Sequence, residues 1–245
     1  MISDRDVAVG RLRTELQGLD SVRRAAAEVA WEAALPPRAS KWSWRAGHVV
    51  KRVFDVAVAS LGLVLLVPLF LVLAVAIVID SGWPVLYPWR VVGYRGRPFT
   101  GYKLRTMVRA ADQLKAQLAP LNEMNGPVFK IRNDPRITRL GKLLRRYSCD
   151  ELPQLWSVLV GDMSLVGPRP VFPEEFTRAT PAQRRKLAVK VGITCLWQVS
   201  GRTAITDFEE WVRLDRVYID NWTLRLDLQI LLKTLLVVIR GAGAY

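Results

Sequence analysis

The feature that most restricts the fold of this 245-residue chain is a run of 24 residues without a charged side chain, residues 56–79. As a straight helix the run would rise about 36 Å, enough to cross a hydrocarbon core of about 30 Å. Pro68 lies near its middle, where a proline removes a backbone hydrogen bond and kinks a helix. Basic residues flank the run on both sides: Arg45, Lys51, Arg52, Arg90, Arg95 and Arg97.

Basic flanks at both ends favour a segment that enters and leaves the same membrane leaflet, because positively charged flanks tend to stay in the cytoplasm. We therefore predict a re-entrant helix broken at Pro68, with a straight spanning helix as the alternative. Asp55 follows Lys51 and Arg52 by one turn, so we expect its charge to be paired with theirs. The run lies too far from the N-terminus for a cleaved signal peptide.

The charge balance of the chain points to a polyanionic partner. The formal net charge is +14 and the pI is near 10.4, which suits phosphorylated substrates, anionic lipid or nucleic acid, although a solvated basic surface would read the same way. The chain has a single histidine, His48, next to basic residues, which argues against histidine-rich metal sites and a Ser-His-Asp triad. A metal would then be bound by carboxylates and water, which favours Mg²⁺. Cys149 and Cys195 do not form a disulfide framework.

The remainder of the chain predicts short strands and several helices. Residues 1–35 are predicted to be helical up to Pro36-Pro37, and Trp42 and Trp44 beside cations are typical of a membrane interface. Strands joined by Gly and Pro turns are predicted over residues 85–107. Helices are predicted over 110–120, 136–147, 173–192, 205–222 and 223–240. The last of these has an apolar face, which indicates either a core helix or one lying in the membrane interface.

Asp150 and Glu151 are adjacent carboxylates at a predicted helix start. One interpretation is a capping box, with Ser148 as the N-cap and Glu151 as the third helical residue. In either register the positive helix end stabilises carboxylate and phosphate alike. A carboxylate there can attack phosphorus, and a second one can hold Mg²⁺ or handle a proton.

Basic residues recur at spacings that suit a diphosphate. An extended chain places Lys103 and Arg105 on one face, and Arg145 and Arg146 precede the two carboxylates. Phosphoryl transfer depends on positioning and charge neutralisation, which such clamps supply. Each pair alone is a weak signal, because exposed basic pairs are common.

The Pro168-Arg169-Pro170 segment fixes the backbone around one guanidinium, since proline locks its own φ and restricts the residue before it. With Gly161 and Gly167 nearby, we interpret it as a loop facing phosphate or nucleotide. The alternative is a plain rigid loop.

Several segments together are similar to a known family. They are KRVFDVAVASLGLVLLVPL, GYKLRTM, NDPRITRLGKLLRRYSCDELPQLWSVLVGDMSLVGPRP and GITCLWQVSGR. They resemble the bacterial sugar transferase family, the monotopic polyprenyl-phosphate phosphoglycosyl transferases, from about His48 to Tyr245. The resemblance implies transfer of a sugar 1-phosphate from a UDP-sugar to undecaprenyl phosphate, giving UMP and an undecaprenyl-diphosphate sugar.

The resemblance also implies roles for particular residues. Asp150 would be the nucleophile that forms a phosphosugar-enzyme, with Glu151 beside it and Mg²⁺ held near Asp150. Arg169 would lie near the nucleotide, and Pro68 would mark the membrane break. The remaining substrate-binding positions implied by the family are Lys103, Arg105, Arg145 and Asp215.

We predict an α+β monotopic membrane enzyme in three parts. Residues 1–47 form an N-terminal helical and interfacial segment, residues 48–80 the re-entrant helix, and residues 81–245 a small cytoplasmic catalytic domain with a C-terminal interfacial helix. The expected location is the cytoplasmic face of the bacterial inner membrane.

The predicted partners are inner-membrane lipid, undecaprenyl phosphate and a UDP-sugar, with glucose or galactose as the sugar. No nucleic acid is expected, and a homodimer is left open. The product would initiate exopolysaccharide, capsule or O-antigen synthesis. Two alternatives stay open: a non-catalytic basic protein that binds the membrane surface, and direct attack by the lipid phosphate without a covalent step.

Overall fold

The computed structural model describes residues 17–31, 41–201 and 204–241, with the side chains of residues 41–45 left out of the description. Of the residues 1–35 predicted to be helical, residues 17–31 are described; residues 17–27 form a helix, which we call α1, and it ends at Ala27, before the predicted stop. The predicted stop at Pro36-Pro37 and the side chains of Trp42 and Trp44 lie outside the described part.

The uncharged run forms the C-terminal part of α2 (Lys41–Leu65) and most of α3 (Val67–Ser81), two consecutive helices. They meet at Leu66 with a bend of 58°. The bend follows from Pro68, which occupies the first turn of α3 and has no N–H to continue the hydrogen-bond ladder of α2. Within the described residues, no single helix has the length and apolar composition to cross a membrane. The bent pair α2 and α3, taken together, has the required length and composition.

The strands form two small sheets. β1 (Leu86–Val92) and β2 (Pro98–Leu104) pair as an antiparallel hairpin, as predicted for residues 85–107. β3 (Ser164–Val166) and β4 (Gly192–Thr194) pair in parallel. Helices and strands thus mix along the chain, and the predicted α+β class is confirmed.

The shorter helices depart from prediction in two places. Residues 110–120 hold only α4 (Ala111–Leu114) and one turn of 3-10 helix. Residues 173–192 divide into α7 (Pro173–Arg178), α8 (Pro181–Arg184) and a 3-10 turn, because Thr180 caps a new helix that Pro181 begins. The other α-helices are α5 (Arg139–Arg146), α6 (Leu155–Val160), α9 (Leu196–Val199), α10 (Phe208–Asp220) and α11 (Leu224–Arg240).

The charged residues ahead of the uncharged run attach α2 to the rest of the fold. Lys51 Nζ lies 2.6 Å from Asp227 Oδ2 of α11 and donates to the carbonyl of Val166 at 3.0 Å. Asp55 accepts a hydrogen bond from the backbone N–H of Leu165 at 3.1 Å. The expected pairing of Asp55 with the cations one turn earlier is therefore wrong, since a strand backbone offers it a donor and Lys51 pairs with Asp227.

Beyond these contacts, the same helices carry much of their apolar surface outwards. Soluble monomers seldom expose contiguous apolar patches above a few hundred Å². Exposed apolar residues on α2, α3 and α11 include Val53, Leu61, Val64, Leu65, Leu71, Val72, Val75, Ile79, Leu228, Leu232, Leu235 and Ile239. These helices therefore carry many exposed apolar side chains.

Candidate active site

Asp150 and Glu151 lie on a 3-10 helix, Cys149–Gln154, directly after α5. The predicted capping box is wrong. Ser148 has a left-handed backbone with φ of 53°, and its side chain makes no cap hydrogen bond. Glu151 turns its side chain to Lys103 on β2 instead, so the tight helix presents both carboxylates to the hairpin.

Glu151 is the residue on which two cations converge. Its Oε1 accepts from Lys103 Nζ at 2.7 Å and lies 3.5 Å from Nη1 of Arg169. Lys103 comes from the hairpin and Arg169 from the loop after β3, so three segments distant in the chain meet at one carboxylate. Charge-assisted hydrogen bonds of this kind are stronger than neutral ones.

Asp150 is almost enclosed, with 8% of its surface exposed. Burial raises the pKa of its carboxyl, and the charge of Glu151 raises it further, while Lys103 and Arg145 act in the opposite direction. Burial is also the main reason that the pKa of Lys103 is lowered. The site therefore holds a carboxylate in a place where ionisation is costly and where an added positive charge would stabilise it.

Arg145, at the end of α5, is the second cation whose charge lowers the pKa of Asp150. Its Nε donates to Thr106 Oγ1 at 2.9 Å. Burial lowers the pKa of its guanidinium, and the charges of Asp150 and Glu151 are among those that oppose the shift. Lys103, Arg145 and Arg169 thus lie around the two carboxylates, and their role as a phosphate clamp stays a prediction.

The loop that carries Arg169 is held by close backbone contact between the strand ends. The N–H of Gly167 donates to the carbonyl of Thr194, and the N–H of Gly192 donates to that of Pro168, both at 3.0 Å. A Cβ on either glycine would collide with the backbone of the other segment. Glycine at both positions allows the two strand ends to stay in close contact as they enter the loop. This contact fixes the backbone position just before Arg169.

Two residues that the sequence assigned to substrate binding lie elsewhere. Arg105 donates to Ser81 Oγ at 3.0 Å and to the carbonyl of Gly82, at the end of α3. β2 ends at Leu104, so the alternation that would place Arg105 beside Lys103 no longer applies. The structure does not bring Arg105 to the two carboxylates.

Asp215, the second of these residues, is fully buried within α10. Its Oδ2 lies 2.9 Å from Lys186 Nζ. Arg146, expected beside Arg145, instead has its guanidinium 5.8 Å from the ring of Tyr147. Consecutive helical positions point about 100° apart, which explains why only one of the two arginines faces the site.

Trp89 is a neighbour of the site that sequence reasoning missed. Lys103 Nζ lies 4.1 Å from the centre of its ring and the guanidinium carbon of Arg169 lies 5.9 Å from it. The signal in the sequence is a tryptophan and a glycine in adjacent strands, but their pairing depends on a hairpin register that the sequence alone leaves undetermined.

The residues present fit a magnesium ion that arrives with a phosphorylated ligand. Among the described residues, no group of three histidine, cysteine or acidic side chains could hold a metal. Mg²⁺ is, however, usually bound by one or two carboxylates together with substrate phosphates and water. Asp150 offers such a carboxylate, and burial together with the charge of Glu151 raises its pKa, so an added cation would favour its ionised form.

Comparison with known proteins identifies relatives of this arrangement. The sequence model described as bacterial sugar transferase matches residues 46–241. The galactosyl transferase CpsE of Streptococcus agalactiae is 46% identical over 198 residues, which are 80% of this chain and 43% of that protein. The undecaprenyl-phosphate galactose phosphotransferase of Salmonella typhimurium is 41% identical over 209 residues, or 82% of this chain and 43% of that protein.

A third relative is similar over nearly its whole length. The exopolysaccharide production protein ExoY of Rhizobium meliloti is 38% identical over 203 residues, which are 81% of this chain and 89% of that protein. The chain thus spans less than half the length of the first two relatives and matches ExoY almost end to end.

Proposed function

The chain belongs to the bacterial sugar transferase family, and we propose that it transfers a sugar 1-phosphate from a UDP-sugar to undecaprenyl phosphate. The observation that carries this proposal is the enclosed Asp150 carboxylate beside Glu151, faced by Lys103 and Arg145. A non-catalytic protein that binds the membrane surface would account for the net charge and the apolar helices. It gives no reason to place an enclosed carboxylate beside a second one that Lys103 and Arg169 both contact.

In the first step, an oxygen of the Asp150 carboxylate attacks the phosphorus that carries the sugar. The bond from that phosphorus to the bridging oxygen of the diphosphate breaks, and UMP leaves with the electron pair. Lys103 and Arg169 lie where they can hold the diphosphate oxygens, and Arg145 approaches from the α5 side. Such clamps neutralise the charge that grows on the leaving group.

In the second step, an oxygen of the lipid phosphate attacks the same phosphorus, and the Asp150 carboxylate leaves. The acyl phosphate retains enough transfer potential for this reaction. Two steps at one carboxylate allow a water-soluble donor and a lipid acceptor to react in turn. Direct attack by the lipid phosphate on the UDP-sugar is the competing mechanism.

Glu151 holds both cations before substrate arrives. Because Lys103 and Arg169 already contact its carboxylate, a diphosphate would take over part of their hydrogen bonding. Asp150 would hold Mg²⁺ together with substrate phosphates, where the ion supplies charge neutralisation at the diphosphate.

The covalent step is tested with UDP-sugar alone. Detergent-solubilised protein should release about one UMP per active site and gain the mass of one sugar phosphate on a peptide that contains Asp150. Asp150→Asn should release none while keeping its thermal unfolding transition. If no adduct can be trapped and the kinetics require a ternary complex, the direct mechanism holds instead.

The bent helix pair supports placement in the membrane. We propose that α2 and α3 enter and leave the cytoplasmic leaflet of the bacterial inner membrane, because the pair bends beside Pro68 and carries exposed apolar residues. α11 would lie in the interface along its exposed leucines. Cysteines placed near residues 40 and 95 should both be protected from impermeant reagents in intact cells. Labelling of the residue-40 site from the periplasm would require a span.

Galactose is the first candidate for the sugar, because the names of CpsE and of the Salmonella relative both refer to it. Glucose remains the second candidate. The product would initiate exopolysaccharide, capsule or O-antigen synthesis, and the name of ExoY supports the first of these. UMP release measured across a set of UDP-sugars with undecaprenyl phosphate as acceptor identifies the donor.

A further inference from the structure

We propose that Trp89 is a positioning residue, whose buried indole ring forms a cation–π platform that orients Lys103 and Arg169 toward the diphosphate. This inference rests on the proposed function, because it assigns a role within that site.

The platform is defined by contacts with both cations. Lys103 Nζ lies 4.1 Å from the ring centre and the Arg169 guanidinium carbon 5.9 Å from it. Both distances fall within the range of about 6 Å over which a ring face attracts a cation. The same two side chains are those that contact Glu151. One ring and one carboxylate therefore hold the two cations from two directions.

The hairpin register builds this platform from the sequence. Trp89 on β1 is paired with Gly101 on β2. A Cβ at Gly101 would collide with Nε1 of Trp89, so the glycine lets the indole lie across the neighbouring strand. Lys103 follows Gly101 by two residues and shares its face of the hairpin. The indole ring that crosses Gly101 therefore lies against the ammonium group of Lys103.

The indole is enclosed, which separates positioning from direct substrate contact. Trp89 is 3% exposed and Phe172 packs edge-on against it at 5.8 Å. A ring covered in this way cannot stack on a uracil base. It can act only through the cations it touches, and burial strengthens that attraction because water no longer screens it.

The platform also explains how the cations stay ordered during exchange of partners. When diphosphate oxygens take hydrogen bonds from Lys103 and Arg169, part of their contact with Glu151 is lost. The ring attraction does not depend on that carboxylate. Trp89 thus limits the side-chain freedom that the two long cationic residues would otherwise have to lose on binding.

The test weakens the ring electrostatics at nearly constant shape. Tryptophans with increasing fluorine content are placed at position 89 by site-specific incorporation, and KM and kcat for UDP-sugar are measured. KM should rise progressively with fluorination, by about two- to thirtyfold across the series, with a smaller fall in kcat. The thermal unfolding midpoint should stay within the spread of the control series.

Trp197 provides the matched control. It is buried to a similar degree at 4% exposed, and its indole nitrogen also has no hydrogen-bond partner, as in Trp89. Its ring stacks on Trp211 at 4.1 Å. The same fluorinated residues at position 197 should leave KM unchanged, since stacking there does not reach Lys103 or Arg169.

A second test changes the residue that lies under the indole ring on the neighbouring strand, β2. Gly101→Ala should displace the indole and raise KM in the same direction, while Gly18→Ala, with nothing within 4 Å of the added Cβ, should not. A flat KM across the position-89 series, in protein that releases UMP normally, overturns the role of Trp89 alone. Absence of UMP release from UDP-sugars by the wild type overturns the proposed function and this inference together.

Discussion

Two lysine–carboxylate pairs in this protein have nearly the same geometry and different surroundings. Lys103 lies 2.7 Å from Glu151 and Lys186 lies 2.9 Å from Asp215. The side chains of the first pair are 15% and 13% exposed, and those of the second are 3% and 1% exposed. A ligand can therefore reach the first pair and cannot reach the second without opening the core.

The number of partners separates the pairs further. Glu151 also lies near Arg169 and stands beside Asp150. Asp215 has Lys186 as its neighbouring cation, and burial still raises the pKa of its carboxyl. A shared, partly accessible carboxylate can give up one cation to a phosphate and keep another. A closed pair holds the fold, and the difference shows why an ion pair seen in a structure does not by itself mark a site.

The largest effect is expected when the closed pair is broken. Lys186→Met would leave a buried carboxylate without its cation, so the free energy of unfolding should fall by about 3–5 kcal/mol near neutral pH. UMP release per folded molecule should change little. Urea unfolding of both proteins in detergent measures the first quantity, and turnover normalised to folded protein measures the second.

The same variant has a defined pH dependence. Lys186 lowers the pKa of Asp215 against the effect of burial, so its removal raises that pKa further above the ordinary value. The native state then binds the proton more tightly than the unfolded state, and stability rises as pH falls through the raised pKa. The loss should be greater at about pH 8 than at about pH 5.5. Lys186→Met combined with Asp215→Leu should recover much of the stability at both values.

For the accessible pair, Lys103 and Glu151, a substitution should lower turnover strongly and stability only slightly. Glu151→Gln removes the charge that holds Lys103 and Arg169, and hydrogen bonds to charged groups contribute about 1.5–3 kcal/mol each. We expect kcat/KM for UDP-sugar to fall by roughly a hundredfold or more, with only a small change in unfolding free energy. A large loss of stability with normal turnover per folded molecule would show that this pair, too, is structural.

The contrast between the pairs also shows what sequence reasoning could reach. Asp150 and Glu151 are adjacent in the sequence and therefore adjacent in space, whereas Arg169 lies 18 residues after Glu151 and was predicted from its Pro-Arg-Pro segment. Lys103 was placed by strand alternation, which holds as far as Leu104, the end of β2. The bend beside Pro68 followed from the missing backbone N–H.

The residues whose surroundings the sequence did not predict are held by long-range contacts. Ser148 and Glu151 have the spacing of a capping box, but tertiary contact with the hairpin takes Glu151 to Lys103. Asp215 was assigned by resemblance alone, and its partner Lys186 lies in a region predicted as one helix that the structure divides. Local pattern cannot supply the partner of a buried charge, because the partner comes from another element.

Arg169 should matter less than Glu151. Its Nη1 lies 3.5 Å from Glu151, at the long end for an ion pair, and its side chain is 32% exposed. Arg169→Ala should raise KM and lower kcat/KM for UDP-sugar by about ten- to a hundredfold. Flotation with liposomes should be unchanged, because the side chain contacts Glu151 and Trp89, which belong to neither α2 nor α3. Unaltered turnover and KM would remove Arg169 from the site.

The smallest effect on turnover is expected for Arg105, which tests the structure against the resemblance. Its guanidinium contacts Ser81 and Gly82 at the end of α3. The charges that influence its pKa are those of Arg109 and Asp80, and neither Asp150 nor Glu151 is among them. Arg105→Ala should change kcat/KM by less than about threefold.

The same substitution should act on the helix end instead. Loss of the two hydrogen bonds leaves the Gly82 carbonyl without its donor, at a cost of about 1–3 kcal/mol. The thermal unfolding midpoint should therefore fall while turnover per folded molecule stays near that of the wild type. Lys103→Ala is the matched comparison from the same strand end, and it should reverse the order of the two effects. If Arg105→Ala instead raises KM for UDP-sugar as strongly as Lys103→Ala, the guanidinium reaches the diphosphate during turnover and the position implied by the family resemblance is restored.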